Sequence, residues 1–387
     1  MRHVELPARS VSLDRGQLSF LKRSVRDVRV LATERPGVFD VELGSSVGVI
    51  GTPEVRFHLG PKVPISRVLF LLAYLGRWPE FTQEYNSEKV DDIVDAMTSV
   101  YSEALARALR GGVWRDYKGW REELPSPRGR IDPLHLQTRR FGVVPPISCA
   151  FDEFTIDVEL NRRLLAASTM LVRLNAGGTE PARRLRRLMS RFEGVERVRY
   201  QPSRLSPVRL DRRNRRYSAA LGLADTIISQ GSVDLSSGRT RSVGFLVNMD
   251  ELYERFVIGA LGESLGLGPL RWRPRHRSFL DAGEQLQGVP DCSMYGPDGA
   301  RFAVLDAKYK YVERPSHPDI YQMVTYCVSF GCSHGVLLYA GVGETHFEIK
   351  NSGVTVHAWE VNPDGEPALV KARVGEVARR LRELVGE

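Results

Sequence analysis

The stretches Gly288-Val-Pro-Asp291 and Val304-Leu-Asp306-Ala-Lys308 decide how the C-terminal part of this chain folds. The turn-forming residues Gly296-Pro-Asp-Gly299 lie between them, so the two stretches are predicted to form a β-hairpin. With that loop, Tyr295 pairs with Ala300, and Asp291 lies opposite Val304 and diagonal to Asp306. Side chains alternate along a strand, and directly opposed residues share a face. The register therefore predicts that Asp291, Asp306 and Lys308 converge on one patch.

Such a patch has the residue types that a divalent cation and a phosphodiester require. Two carboxylates a few Å apart repel each other unless a cation lies between them. Mg²⁺ accepts one or two carboxylates, keeps several waters and takes phosphate oxygens, and Mn²⁺ can replace it at such a site. Pro-Asp followed by Asp-x-Lys is the pattern of Mg²⁺-dependent nucleases of the PD-(D/E)xK type. The alternative is an ordinary exposed hairpin with an Asp/Lys pair.

Two predicted helices flank the hairpin. The first begins after Asn248, a plausible N-cap with Glu251 as its capping-box partner, and carries Glu254 at the border of its apolar face. Glu254 could contact a metal shell, although a solvated surface glutamate is the commoner case. The second runs from Ser316 to a C-terminal glycine and carries Gln322 on a polar stripe. Helix, three strands, helix and strand predict an α/β fold with a mixed sheet flanked by helices.

The chain resembles the McrC family, the nuclease subunits of McrBC modification-dependent (5-methylcytosine) restriction systems. The motifs that carry the resemblance follow in the family's order: Leu59-Gly-Pro-Lys62, Arg128-Gly-Arg-Ile-Asp132, Cys149-Ala-Phe-Asp-Glu-Phe-Thr-Ile-Asp157, Asn248-Met-Asp-Glu-Leu-Tyr-Glu254, Pro290-Asp291, Leu305-Asp-Ala-Lys-Tyr-Lys310 and Asp319-Ile-Tyr-Gln-Met323. The resemblance implies a PD-(D/E)xK restriction-endonuclease-like C-terminal domain. It implies catalytic roles for Asp291, Asp306 and Lys308, supported by Glu254 and Gln322.

The resemblance also implies a mechanism and a partner. Asp291, Asp306 and the backbone carbonyl of Ala307 would hold Mg²⁺ or Mn²⁺, and Lys308 would orient the water that attacks double-stranded DNA. The partner would be a McrB-like AAA+ GTPase ring, which the chain would stimulate. Two alternatives stay open: a non-cutting regulatory subunit that binds DNA and activates an NTPase, and a stand-alone nuclease in repair or defence.

The length of 387 residues predicts two or three domains. We expect residues 1–145 to form a β-rich (α+β) domain with a helical connector, and its first 65 residues to be strands. Residues 146–387 would form the nuclease domain, with an arginine-rich helical insertion at about 180–216. The family resemblance implies that the N-terminal domain docks on the partner ring. The alternative is a small β-domain that only covers the nuclease.

The net charge of +8 is concentrated in one segment. Residues 180–216 contain 13 arginines and four acidic residues, so this segment can neutralise DNA phosphates without reading sequence. The alternative is a solvated face rich in salt bridges. The residues expected to bind DNA are Arg183, Arg184, Arg187, Arg212, Arg213, Arg215 and Arg216.

Several functions are excluded by what the sequence lacks. The four cysteines show no CxxC pair, which disfavours zinc and disulfides. There is no Gly-x-x-x-x-Gly-Lys-Ser/Thr loop, so NTP hydrolysis would belong to a partner. No signal peptide or membrane-length apolar run is present, and we expect a cytoplasmic protein that contacts no membrane.

Overall fold

The computed structural model describes residues 2–25, 27–52, 54–61, 63–76, 92–131, 146–175, 178–201, 205–233 and 243–386. The chain divides into two units: unit 1 contains residues 1–92 and 246–387, and unit 2 contains residues 93–245. The expected boundary near residue 145 lies outside the described residues, and the segments before and after it both belong to unit 2. In place of the expected division into 1–145 and 146–387, unit 1 is discontinuous in sequence. No helix in the described ranges has both the length and the apolar character needed to cross a membrane.

The described residues of the N-terminal part of unit 1 form six strands and two helices. In chain order these are β1 (Arg2–Leu6), β2 (Ala8–Ser12), α1 (Arg15–Ser24), β3 (Val28–Ala32), β4 (Val38–Leu43), β5 (Ser46–Gly51), β6 (Val55–Leu59) and α2 (Ile65–Leu75). Strand β6 pairs in parallel with β1 and antiparallel with β5, and β4 pairs antiparallel with β2 and β3. Helix α1 corrects the expectation of strands alone. It starts at Asp14, whose side chain accepts a hydrogen bond from the Gln17 N–H at 2.8 Å.

Unit 2 is mainly helical. Its elements are α3 (Ile93–Ala108), β7 (Asp116–Leu124), β8 (Arg130–Ile131), β9 (Ile147–Thr155), α4 (Glu159–Leu174), α5 (Glu180–Met189), α6 (Ser218–Gln230) and β10 (Gly231–Val233). Strand β9 pairs antiparallel with both β7 and β8. Arg163 of α4 is 1% exposed and forms ion pairs with Glu159 at 2.8 Å and Asp225 at 3.1 Å. A buried guanidinium is stable only when paired in this way.

The C-terminal part begins with β11 (Val243–Asn248), which runs from unit 2 into unit 1. The following elements are α7 (Met249–Leu265), β12 (Trp272–Pro274), β13 (Ser278–Phe279), β14 (Gln287–Gly288), β15 (Cys292–Tyr295), β16 (Arg301–Val312), α8 (His317–Phe330), β17 (His334–Val342), β18 (Thr345–Ile349), β19 (Val354–Glu360) and α9 (Pro367–Val385). Six strands form one sheet in the order β12-β15-β16-β17-β19-β18. Strands β16, β17 and β19 are parallel and the other pairs antiparallel, so the predicted mixed sheet is confirmed.

Both faces of this sheet are covered by helices. Met323 and Cys327 of α8 join a buried cluster with Val304, Leu337 and other side chains of one face. On the other face, the ring of Tyr253 of α7 lies 5.7 Å from that of Tyr309. Successive side chains of β16 point to opposite faces of the sheet, so Val304 lies on the first face and Tyr309 on the second.

The N-terminal part belongs to unit 1 because it packs on α7. The rings of Phe70 and Tyr74 in α2 lie 5.8 Å and 5.0 Å from Phe256 in edge-on contact. The Ser45 hydroxyl donates to the Asp250 carboxylate at 2.6 Å. Such packing between distant segments is not visible in the local sequence pattern, which explains why the expected division was different.

Candidate active site

The predicted hairpin is present, but its register differs from the expected one. Tyr295 pairs with Arg301 rather than Ala300, and Ser293, not Asp291, lies opposite Val304. A bulge between Met294 and Tyr295 shifts the pairing. Beyond the bulge Cys292 pairs with Leu305, so the next position along each strand brings Asp291 opposite Asp306. The shift moves the pairing by two residues in total. An even shift preserves the face, so the predicted patch is retained.

Three of the predicted site residues meet at the end of this hairpin. Asp291 Oδ2 accepts a hydrogen bond of 2.6 Å from the backbone N–H of Ala307. The Lys308 ammonium forms an ion pair with Asp306 Oδ2. Asp306 is only 4% exposed, and Lys308 is the cation that compensates its charge. A buried carboxylate needs such a partner, because desolvation otherwise disfavours its charged form.

The two carboxylates destabilise each other's charged form. Burial raises the pKa of Asp291, and the charge of Asp306 raises it further. The hydrogen bond from the Ala307 N–H lowers the pKa but does not offset these two effects. Burial likewise raises the pKa of Asp306, although the charge of Lys308 opposes the shift. Burial alone would lower the pKa of Lys308, but Asp306 reverses that effect and raises it. Ionisation of both carboxyl groups is therefore penalised in the metal-free patch, and a bound cation would relieve that penalty.

Helix α8 supplies the predicted Gln322 and a neighbouring ion-pair network. Lys308 Nζ donates to Gln322 Oε1 at 3.2 Å, and the Gln322 amide donates to the Tyr326 hydroxyl at 3.1 Å. The helix starts at Ser316, whose hydroxyl accepts from the Asp319 N–H, and ends at Gly331 with a φ of +68°. The predicted caps are thus in place, and they fix the helix beside Lys308.

Asp319 lies on the same helix and was not among the predicted site residues. It is 6% exposed, and its carboxylate accepts hydrogen bonds from Lys310 at 2.8 and 2.9 Å and from the Tyr339 hydroxyl at 2.7 Å. Burial would raise the pKa of Asp319, but these hydrogen bonds outweigh burial and lower it. The sequence signal for this network was the family motif Asp319-Ile-Tyr-Gln-Met323, which begins at this residue.

Glu254 of α7 reaches the same centre. Its charge contributes to the raised pKa values of Asp291 and Asp306. Both of its oxygens are paired with Arg275, at 2.8 Å from Nε and 3.1 Å from a terminal guanidinium nitrogen. Arg275 was not predicted as a site residue, because no local pattern connects it to a glutamate on the preceding helix.

The donor set fits a hard divalent cation. Asp291, Asp306 and the carbonyl of Ala307 offer oxygen ligands, and the raised pKa values of the two carboxyl groups show that their charged forms lack full compensation. No group of three or more His, Cys, Asp or Glu in the described ranges has metal-ligand geometry. Mg²⁺ does not need such a cage, because it binds through one or two carboxylates and keeps several waters.

The predicted DNA-binding arginines all lie in unit 2 and differ in their contacts. Arg183 and Arg187 both pair with Glu180 at 3.0 Å, and Arg213 pairs with the aspartate two residues before it. Arg216 donates to the carbonyls of Ala108 and Gly111 at 3.2 Å, which closes the end of α3. The other three are exposed and form no ion pair with any residue that the structure describes: Arg184, Arg212 and Arg215.

Comparisons with known proteins identify the family and the fold of the chain. A family described as McrBC 5-methylcytosine restriction system component matches residues 41–340. No curated protein matches the chain. A solved structure of Thermococcus gammatolerans McrB AAA+ hexamers with bound McrC, a half-complex from a tetradecameric assembly, contains a chain that is 17% identical. The match covers 91% of this chain and 86% of that chain with a TM-score of 0.56, which indicates a shared fold.

A second solved structure, the cryo-EM structure of the Thermococcus gammatolerans McrBC complex, matches over a shorter range. The matched chain is 19% identical, with a TM-score of 0.39, and the match covers 59% of this chain and 69% of that chain.

Proposed function

Because this chain belongs to the family of McrBC 5-methylcytosine restriction system components and is of the McrC type, we propose that it is a metal-dependent DNA endonuclease subunit. The observation that carries the proposal is the convergence of Asp291, Asp306 and Lys308 at the end of the hairpin, where one ammonium group faces two carboxylates. Two neighbouring carboxylates with a single compensating cation form a site that a divalent ion would complete. The mixed sheet with its β15–β16 hairpin is consistent with a PD-(D/E)xK fold.

In the proposed mechanism, Asp291, Asp306 and the Ala307 carbonyl would hold Mg²⁺, or Mn²⁺ in its place. A bound ion would supply Lewis acidity toward water and toward the phosphate. Lys308 orients the attacking water and offsets the charge that develops on the phosphodiester. The 3.2 Å hydrogen bond from Lys308 to Gln322 fixes the direction of the ammonium. Glu254 adds negative charge to the same centre.

The proposed partners are double-stranded DNA and a McrB-like AAA+ GTPase ring. The solved McrC of Thermococcus gammatolerans is bound to McrB AAA+ hexamers, which supports a ring partner for this chain. We assign docking to the N-terminal residues and stimulation of GTP hydrolysis to the assembled complex. Arg184, Arg212 and Arg215 are the best candidates for DNA backbone contacts, because they are exposed and unpaired within the described ranges. We place the complex in the cytoplasm.

The test is a cleavage assay with the purified chain, its AAA+ partner, GTP, Mg²⁺ and methylated plasmid. Lys308→Met and Asp306→Asn should lower the cleavage rate at least about 100-fold, as expected when a group that stabilises the transition state is lost. Partner binding and stimulated GTP hydrolysis should be retained. Lys371→Met, on an exposed lysine of α9, is the matched control and should cut normally.

The same assay separates the competing functions. If the wild-type chain stimulates GTP hydrolysis but leaves the plasmid intact, it is a regulatory subunit. If it cuts in Mg²⁺ without any NTPase, it is a stand-alone nuclease. Cleavage by the Lys308→Met variant at the wild-type rate would contradict the assigned role of Lys308.

A further inference from the structure

Arg275 is held beside the carboxylate pair by its own backbone. It lies between β12 and β13, and its N–H donates to the carbonyl of Asp291 at 2.9 Å. Its φ of +49° is in the left-handed region, which a residue with a Cβ adopts uncommonly. Outliers of this kind cluster at functional sites, because surrounding contacts must maintain them. The hydrogen bond to Asp291 is one such contact.

The Arg275 guanidinium occupies both oxygens of Glu254. The pair is bidentate, with distances of 2.8 Å and 3.1 Å, and this geometry is the strongest form of arginine–carboxylate pairing. The Glu254 side chain is 17% exposed, whereas that of Arg275 is 57% exposed. The carboxylate is thus fixed inside the centre while the guanidinium can move away into solvent.

The pairing matters because Arg275, which binds both oxygens of Glu254, also donates its N–H to the Asp291 carbonyl, so that Glu254 lies beside the metal carboxylates. The negative charge of Glu254 contributes to the raised pKa values of both Asp291 and Asp306. A third carboxylate near the pair would strengthen the attraction for a divalent cation, since affinity increases with the number of charged oxygen ligands. While Glu254 is paired with a cation of the protein itself, a metal ion must compete for it.

We propose that Arg275 is a latch that withholds Glu254 from the divalent ion and so lowers the metal affinity of the free protein. This inference rests on the proposed function, because it concerns the metal site of the nuclease. Arg275 acts through Glu254, and it is a positioning residue. Its exposed guanidinium can be released at low cost, because solvent already screens an ion pair of this kind.

The experiment is a calorimetric titration of the full-length, metal-free chain with Mn²⁺, without DNA or partner. Arg275→Ala removes the guanidinium, and Arg275→Gly does so while accommodating the positive φ. Both variants should bind Mn²⁺ about fivefold more tightly than wild type, because the ion no longer has to break a partly exposed ion pair. Arg275→Lys keeps one charge without the bidentate geometry and should be intermediate.

Two further variants make the result specific. Arg277→Ala removes an exposed arginine of the same segment and should leave Mn²⁺ affinity unchanged. In a Glu254→Gln background, Arg275→Ala should no longer tighten Mn²⁺ binding, because position 254 then carries no carboxylate for Arg275 to keep from the ion.

Unchanged or weaker Mn²⁺ binding by Arg275→Ala and Arg275→Gly, with normal binding by wild type, would overturn the latch and leave the nuclease proposal standing. Tightening that persists in the Glu254→Gln background would also overturn it. Failure of wild type and all variants to bind Mn²⁺ would overturn the proposed metal site together with the latch.

Discussion

Replacing Asp291 with asparagine should make the metal-free protein more stable. Burial and the charge of Asp306 both raise the pKa of Asp291, which means that the fold disfavours its ionised form. Asparagine keeps an oxygen that can accept the 2.6 Å hydrogen bond from the Ala307 N–H, and its amide can donate toward the Asp306 carboxylate. The substitution therefore removes the repulsion but not the hydrogen bond.

The size of the effect follows from the cost of burying a charge. A buried ion costs several kcal/mol after relaxation, and each pKa unit is worth about 1.4 kcal/mol. Part of that gain is lost because the asparagine amide must also be desolvated. We expect Asp291→Asn to raise the free energy of unfolding by about 2 kcal/mol at pH 8. In a domain of this size that corresponds to about 4–8 °C in Tm.

The pH dependence has a definite sign. Below about pH 4 the carboxyl group is protonated in both folded and unfolded protein, so the wild type carries no penalty there. Because the folded pKa is raised, the unfolded chain loses the proton first as pH rises, and wild-type stability falls through that window. The difference between variant and wild type should grow from pH 5 to pH 8.

The assay is scanning calorimetry in EDTA at several pH values. Asp319→Asn is the matched control, because it is a buried aspartate of the same unit whose pKa is lowered by its hydrogen bonds. It should destabilise the protein at pH 5–8, and its effect should be lost as pH falls through the lowered pKa. A lower Tm for Asp291→Asn at pH 8, or a difference that does not grow with pH, would refute the electrostatic reasoning.

Four further substitutions probe other parts of the molecule. Gly335→Ala places a Cβ against Met323 of α8 and should destabilise the protein by about 1–3 kcal/mol in a denaturant titration. Arg163→Met removes the ion pairs with the partly exposed carboxylates of Glu159 and Asp225, and should lower the unfolding free energy by about 1–2 kcal/mol, measured in the same way. Arg184→Ala should weaken DNA binding and reduce by about one the slope of the logarithm of the binding constant against the logarithm of salt concentration. Arg216→Ala should mainly lower Tm, because the Arg216 side chain closes the end of α3.

The sequence predicted those features of the site that depend on local rules. The turn residues at 296–299 produced the hairpin, and alternation placed Asp306 and Lys308 on one face. The N-caps at Asn248 and Ser316 were identified from residue type alone. Each of these features depends on residues within a few positions of one another.

What the sequence could not predict depends on contacts between distant segments. The register of the hairpin was wrong because a bulge next to Tyr295 has no sequence signature here. The ion pair of Arg275 with Glu254 joins a loop to the preceding helix, and the discontinuous unit 1 depends on the packing of α2 on α7. Helix α1 is a different case, because its Asp14 capping box was visible and the strand interpretation overlooked it.

Two buried aspartates of unit 1 differ in how well the fold compensates their charge. Asp319 accepts hydrogen bonds from Lys310 and Tyr339, and its pKa is lowered. Asp306 is equally buried and pairs with Lys308, but its pKa is raised because burial outweighs that pairing. The ionised form is therefore stable at Asp319 and disfavoured at Asp306. A divalent ion bound beside Asp306 would remove that penalty, which is why the proposed metal site is placed there.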